Sequence, residues 1–149
     1  MVLLVPMSED ELNTYLQGAI PRYAEDHIKW NLWDADDAYT RAEQVIYERL
    51  PQGIKTPKQH VFCIRRVMDS ETIHVGYLWF AVQEHDSGQV AFVYDMVIDQ
   101  KYRRRGYGAD AFHKLEEKVR ELGLDTITLH VFGDNDGARA LYESLGFAT

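Results

Sequence analysis

Residues 101–109, KYRRRGYGA, place Lys101, Arg103, Arg104 and Arg105 beside Gly106 and Gly108. These types at this spacing suit the binding of a phosphate. Guanidinium groups can pair with phosphate oxygens bidentately, and glycines let the main chain turn tightly and approach a ligand. If a helix begins here, its first N–H groups are unpaired and its dipole favours an anion. The same residues would also suit an ordinary solvated loop at a helix start. The charge of the whole chain bears on that choice. With 24 Asp and Glu against 16 Lys and Arg, the formal net charge is −8, which repels nucleic acid and anionic membrane. Any anion therefore needs a local site, and this turn is where positive charge gathers. It is not a dinucleotide fingerprint, which has three glycines in a parallel βαβ unit. A G-x-x-x-x-G-K-[ST] phosphate loop is also absent from the sequence.

The elements that would position this turn can be read from periodicity. Val2 to Val5 is a short strand candidate, and Ser8 with Glu11 three residues on forms a capping-box pattern. Leu12, Tyr15, Leu16 and Ala19 follow at helical spacing. Pro21 is expected to kink or end that helix, with Tyr23, Ala24 and Ile28 continuing beyond it. A second helix is expected over about 36–50, burying Ala38, Ala42, Val45 and Ile46, before PQGIKTPKQ breaks the pattern. From His60 the stretches HVFCIRRV, IHVGYLWFAV and VAFVYDMVI read as three consecutive antiparallel strands, with turn material at MDSET and HDSGQ. Ala111, Phe112, Leu115, Val119 and Leu122 mark an amphipathic helix stopping at Gly123. DTITLHVF is a further strand, GDND a turn, and Ala138, Leu141, Tyr142 and Leu145 the buried face of a last helix. The order is β-α-α-β-β-β-α-β-α, an α+β sheet with helices packed on it.

At 149 residues and 46% hydrophobic content the chain suits one domain, 1–149. No apolar run is long enough to span a membrane, and MVLLVPMSEDEL is too short and too soon acidic for a signal peptide, so the expected location is cytoplasmic. The single Cys63 reads as a buried, inert thiol. Histidines at 27, 60, 74, 85, 113 and 130 lack ligand spacing, so no metal is expected. The stretch WNLWDADDA holds Trp30, Trp33, Asp34, Asp36 and Asp37. It reads either as an interhelix turn with a cluster of N-cap residues or as the lining of a pocket for a cationic amine. Residues 1–60 carry ten acidic and six basic residues, a difference of −4, which leans the same way.

The segment YDMVIDQKYRRRGYGADAFHKLEEKV resembles the acyl-CoA-binding motif of the GNAT (Gcn5-related) N-acetyltransferase superfamily. That motif is [QR]-x-x-G-x-[GA] between a strand and a helix, met here by Arg103, Gly106 and Gly108. LHVFGDNDGARALYESLGF resembles the following motif, through Asn135, Ala138 and Tyr142 ahead of a Gly-Phe pair. The resemblance covers about residues 60–149, and within the superfamily it is closest to small bacterial acetyltransferases of the YycN-like group. It implies a mixed, largely antiparallel sheet flanked by helices, with 1–58 forming variable acceptor-side helices and 59–149 the acyl-CoA-binding core. It implies acetyl-CoA as co-substrate, an amine as acceptor and no metal.

The resemblance also implies roles. Main-chain amides from Arg103 through Arg104, Arg105, Gly106, Tyr107 and Gly108 to Ala109 would hold the CoA pyrophosphate. Met96, Val97 and Ile98 on the fourth strand would pair with the pantetheine arm, Asn135 would touch that arm, and Ala138 would let it pass. Asp95 is the candidate to hold the ammonium and accept its proton, with Tyr94 and His130 as substitutes; an Asp at a strand bend can equally be a structural hydrogen-bonding group. A main-chain N–H of the fourth strand would serve the oxyanion. Tyr142 would protonate the departing thiolate, although its spacing with Leu141 and Leu145 also suits a core aromatic. Departures from the family pattern are Phe92 where histone-type members have a catalytic Glu, Tyr94 where a Glu is common, and Arg104 where a Gly is frequent. The chain ends two residues after Phe147, so the usual C-terminal strands are expected to be short or missing, leaving an edge that a partner such as a second copy could cover. The leading expectation is an N-acetyltransferase. The competing ones are a CoA-binding or sensing domain without turnover and an interaction domain for an acidic protein.

Overall fold

The computed structural model describes residues 1–129 except Ser87. Its elements are β1 (Val2–Pro6), α1 (Glu9–Lys29), α2 (Ala38–Arg49), β2 (Gln59–Met68), β3 (Glu71–His85), β4 (Gly88–Ile98), α3 (Tyr107–Glu121) and β5 (Ile127–Leu129). The remainder of the predicted last strand, the GDND turn, the last helix and the chain end lie outside the described residues. So do the expected site residues Asn135, Ala138 and Tyr142, and His130. The chain folds as two compact units, 7–59 and 1–6 with 60 onward, so β1 joins the sheet rather than the helices that follow it.

In the first unit, Ser8 starts α1 through the expected reciprocal cap: its Oγ accepts from the Glu11 N–H at 3.1 Å, and the Glu11 carboxylate accepts from the Ser8 N–H at 2.9 Å. Pro21 does not end the helix, which runs 21 residues through it. Its cost is a missing N–H bond, and burial of Leu16, Ala19, Ile20 and Ala24 on either side holds the helix together across that gap. α2 starts later and ends sooner than expected, and Val45 is only half-buried while Ala38, Ala42 and Ile46 are fully so. Asp37 occupies the N-cap position without capping: its carboxylate accepts instead from Arg41 Nε at 3.0 Å. Among the described residues no helix is long and apolar enough to cross a membrane.

The second unit is a five-stranded sheet in the order β1-β2-β3-β4-β5. β1 pairs antiparallel with β2, and β3 with β4, while β5 runs parallel to β4. The mixed, largely antiparallel α+β sheet therefore stands as expected, with α3 as the crossover between β4 and β5. Ala111, Phe112, Leu115 and Val119 on one face of α3 join Val2, Leu4, Phe62, Ile64, Val75, Leu78 and Phe80 in a single core. Full burial of a side chain such as Phe112 is worth about 1.5–3 kcal/mol. Leu122, expected on that face, is 47% exposed. The helix stops one residue earlier: Gly123 turns left-handed at φ 78°, and the Leu124 N–H donates to the Val119 carbonyl at 3.0 Å, so Leu124 is buried in its place. Cys63 is buried, as its strand context requires.

His60 opens the β2 part of this unit with its ring 4.7 Å from that of Phe80 at an angle of 15°. Burial holds its imidazole below the ordinary value of 6.5. The charged form is disfavoured in the fold, so the unfolded chain takes up the proton first as pH falls. Stability should be full above about pH 6.5 and should decline as pH drops from there through the folded-state value. In thermal melts between pH 8 and pH 5, the wild type should lose more stability than His60→Leu; parallel curves would show that this ring contributes no pH dependence.

Candidate active site

β4 carries the site's strand half, and its form departs from a regular ladder. Asp95 pairs with Trp79 and Val93 with Phe80, leaving Tyr94 as an extra residue, a β-bulge. Ala91 and Val93 before the bulge, and Met96 and Ile98 after it, all pack on the core shared with α3. Tyr94 and Asp95 therefore stand next to each other off that face, where strict alternation would have separated them. The Tyr94 ring packs 4.8 Å from Trp79 and 5.0 Å from Phe92. Its hydroxyl accepts from Gln83 Nε2 at 2.8 Å, and the Gln83 Oε1 lies 3.2 Å from His85 Nε2.

The register also sorts the main-chain groups of β4. The Asp99 N–H donates to the Val75 carbonyl at 2.8 Å. By the alternation of an antiparallel pair, Val97 and Asp95 also turn their main-chain groups toward β3, and Met96 and Ile98 turn theirs away. Val97, expected to pair with the pantetheine arm, has its backbone committed to Tyr77. Met96 and Ile98 face outward. β5 pairs with β4 at Ala91, Phe92 and Val93 among the described residues.

The loop half follows directly. Gln100–Tyr102 forms a short 3-10 turn, and the Arg103 N–H donates back to the Gln100 carbonyl at 3.3 Å. The Arg103 side chain reaches further back, its Nε donating to the Ile98 carbonyl at 2.8 Å. Arg103 thus braces the loop against the end of β4, with both its amide and its Nε engaged. Arg104 has a φ of 63°, in the left-handed region. This is the physical reason that a Gly suits the position, and a non-Gly residue there is strained by about 1–2 kcal/mol. Gly106 follows at φ 82° as the N-cap of α3, with no side-chain cap. The first helical bond runs from the Asp110 N–H to the Gly106 carbonyl at 3.1 Å. The amides of Tyr107, Gly108 and Ala109 therefore have no partner within the helix.

Charge is organised around two tyrosines. Lys101 and Arg105 lie over the Tyr102 ring at 5.1 and 5.9 Å from its centre. From β2, Arg66 Nη1 donates to the Tyr107 hydroxyl at 3.1 Å. That hydrogen bond holds the Tyr107 phenol below its ordinary ionisation range and the guanidinium above its own. Sequence reading found the loop but missed Arg66 and Gln83, which lie in strands with no motif around them. The bulge had one signal, the adjacent Tyr94 and Asp95 inside an apolar strand. Among the described residues no group of three or more His, Cys, Asp or Glu could hold a metal ion.

In the helical unit, the WNLWDADDA stretch forms the turn between α1 and α2. Trp33 stacks on His27 at 4.1 Å and 21°, Arg41 lies 5.9 Å from the Trp33 ring centre, and Trp30 and Leu32 are exposed.

A family model described as the acetyltransferase (GNAT) family matches residues 22–147. The uncharacterized N-acetyltransferase YycN of Bacillus subtilis is 35% identical over 98% of this chain and 92% of its own length. The uncharacterized N-acetyltransferase YdgE of the same organism is 27% identical over 97% and 90%. The crystal structure of YycN superimposes with a TM-score of 0.90, covering all of this chain and 93% of the other. A strand bulged beside Asp95, a braced turn at Arg103 and a glycine-capped helix start thus sit in a chain that matches over nearly its whole length, and the protein belongs to the GNAT acetyltransferase family.

Proposed function

We propose that the protein transfers an acetyl group from acetyl-CoA to a primary amine of a small molecule or peptide, by direct attack through a tetrahedral intermediate. The observation that carries this reading is the turn from Arg103 into α3, whose left-handed Gly106 leaves the amides of residues 107–109 without helical partners. In this reading those amides, with Arg104 and Arg105, bind the pyrophosphate, while Arg103 fixes the loop to β4. The outward main-chain groups of Met96 and Ile98 flank the pantetheine arm, with the Ile98 carbonyl already held by Arg103, and a main-chain N–H of this strand donates to the thioester oxygen as it becomes an oxyanion.

Attack requires a neutral amine, and an alkyl ammonium loses its proton only near about 10.4. Asp95 accepts that proton directly or through water, and the bulge turns the Tyr94 ring to the same face. Asn135 and Ala138 contact the arm. Tyr142 protonates the departing thiolate; a phenol near about 10 giving a proton to a thiol near about 8.5 is only mildly uphill. The acidic 1–60 half suits a cationic acceptor, and the net charge of −8 disfavours nucleic acid and anionic membrane as partners.

A second reading, CoA binding without turnover, is favoured by Phe92 and Tyr94, aromatic where the family often places a carboxylate. Calorimetric titration of acetyl-CoA and a thiol-release assay over an amine panel separate the two. Saturable binding with release, reduced at least tenfold in Asp95→Asn, supports the transferase; binding without release for any amine moves the assignment to the second reading.

A further inference from the structure

Arg66 stands on β2, two strands away from β4 in the sheet order and 41 residues from the residue it meets. Its guanidinium donates from Nη1 to the hydroxyl of Tyr107, the first residue of α3. Its Nε is buried and has no hydrogen-bond partner among the described residues. A half-buried arginine with an unpaired donor is a poor stabiliser, because that donor has lost water without a replacement. A methionine of similar reach would lose the charge and the orphaned donor together. Fold stability therefore gives little reason for an arginine at this position.

The phenol it holds is placed where a small displacement matters. Tyr107 packs its ring against the core and contributes one of the amides left without a helical partner. Its N-cap neighbour is a glycine, so no side chain fixes the first turn of α3 from the loop side. The Arg103 brace acts upstream, at the end of β4. The Arg66 to Tyr107 bond is a polar tie between the sheet and the start of the helix, beside the exposed ion pair of the Met1 amino group with Asp110 at 3.9 Å. Arg105 also lies close enough to Tyr107 to bear on its ionisation, which puts the phenol between two cations.

We propose that Arg66 is a positioning residue for acetyl-CoA: by holding the Tyr107 hydroxyl it fixes the first turn of α3, and with it the main-chain amides that receive the pyrophosphate. This rests on the reading that the loop binds CoA. It differs from direct phosphate binding in acting through Tyr107, so removing either partner removes the same effect.

The test titrates acetyl-CoA calorimetrically into the full chain as wild type, Arg66→Met, Arg66→Lys, Tyr107→Phe and Arg66→Met/Tyr107→Phe, with a thermal melt of each. Arg66→Met and Tyr107→Phe should each weaken binding by about tenfold, and the double variant should be no weaker than either single one. Arg66→Lys should recover part of the loss. Melting temperatures should stay within a few degrees of wild type, and in an alkaline absorbance titration one tyrosine should ionise at higher pH in Arg66→Met than in wild type. Unchanged affinity in Arg66→Met, or losses that add in the double variant, would overturn the proposal while leaving CoA binding intact. A wild type that does not bind acetyl-CoA would overturn the reading of the loop and the proposal with it.

Discussion

Gly106→Ala should lose acetyl-CoA binding by at least about tenfold while the protein stays folded. Gly106 sits at φ 82°, and a Cβ built on it meets nothing within 4 Å. The substitution therefore clashes with no neighbour, and its direct cost is the left-handed backbone, about 1–2 kcal/mol for a residue with a Cβ. For a chain of this size that is a melting shift of roughly 2–8 °C. The open space leaves room for an approaching phosphate, and relief of the left-handed strain would re-aim the amides of residues 107–109 that await it. A small thermal shift with a large loss of affinity, read by melting and calorimetry on the same samples, is the expected pair of results. Equal affinity in Gly106→Ala and wild type would mean that the phosphate does not approach this turn.

Gly76→Ala should have the opposite signature, a large loss of stability with loss of binding following from it. Gly76 pairs with Ile98 across β3 and β4, and a Cβ at Gly76 would run into the Val97 carbonyl oxygen and lie 3.1 Å from the Ile98 Cα. Both are backbone atoms and cannot rotate away. Relief requires the end of β4 to move off β3, at a cost of about 3 kcal/mol, roughly 10 °C in melting temperature. The same movement would displace Ile98, whose carbonyl holds Arg103, and so the loop. Urea unfolding of the variant beside wild type measures the cost; a midpoint shifted by less than a third of this would show that the close approach is not needed.

What the sequence made legible follows physical range. The capping box of Ser8 and Glu11, the meander and the face of α3 are each written within a few residues of themselves, and they were found. The turn into α3 was also local, since glycines between a strand pattern and a helix pattern suffice to mark where the helix starts. Of the two outcomes expected at Pro21, the helix does not end there: buried neighbours on both sides outweigh one lost hydrogen bond, and Tyr23, Ala24 and Ile28 continue it as expected. Leu122 was misplaced because the αL turn at Gly123 shortens the helix and buries Leu124 instead. The tie from Arg66 to Tyr107 and that from Gln83 to Tyr94 join separate strands or a strand to a helix, and no pattern along the chain announces such a pair.

The extra residue in β4 has a further meaning. Without Tyr94, the strand would read Ala91, Phe92, Val93, Asp95, Met96, Val97, Ile98, an unbroken alternation that still sends Val93, Met96 and Ile98 to the core. The sheet could lose this residue and keep its phase. Tyr94 is thus surplus to the architecture, a letter inserted into a word that already spells the fold, and what the insertion adds is a place where a phenol and a carboxylate sit side by side on one strand.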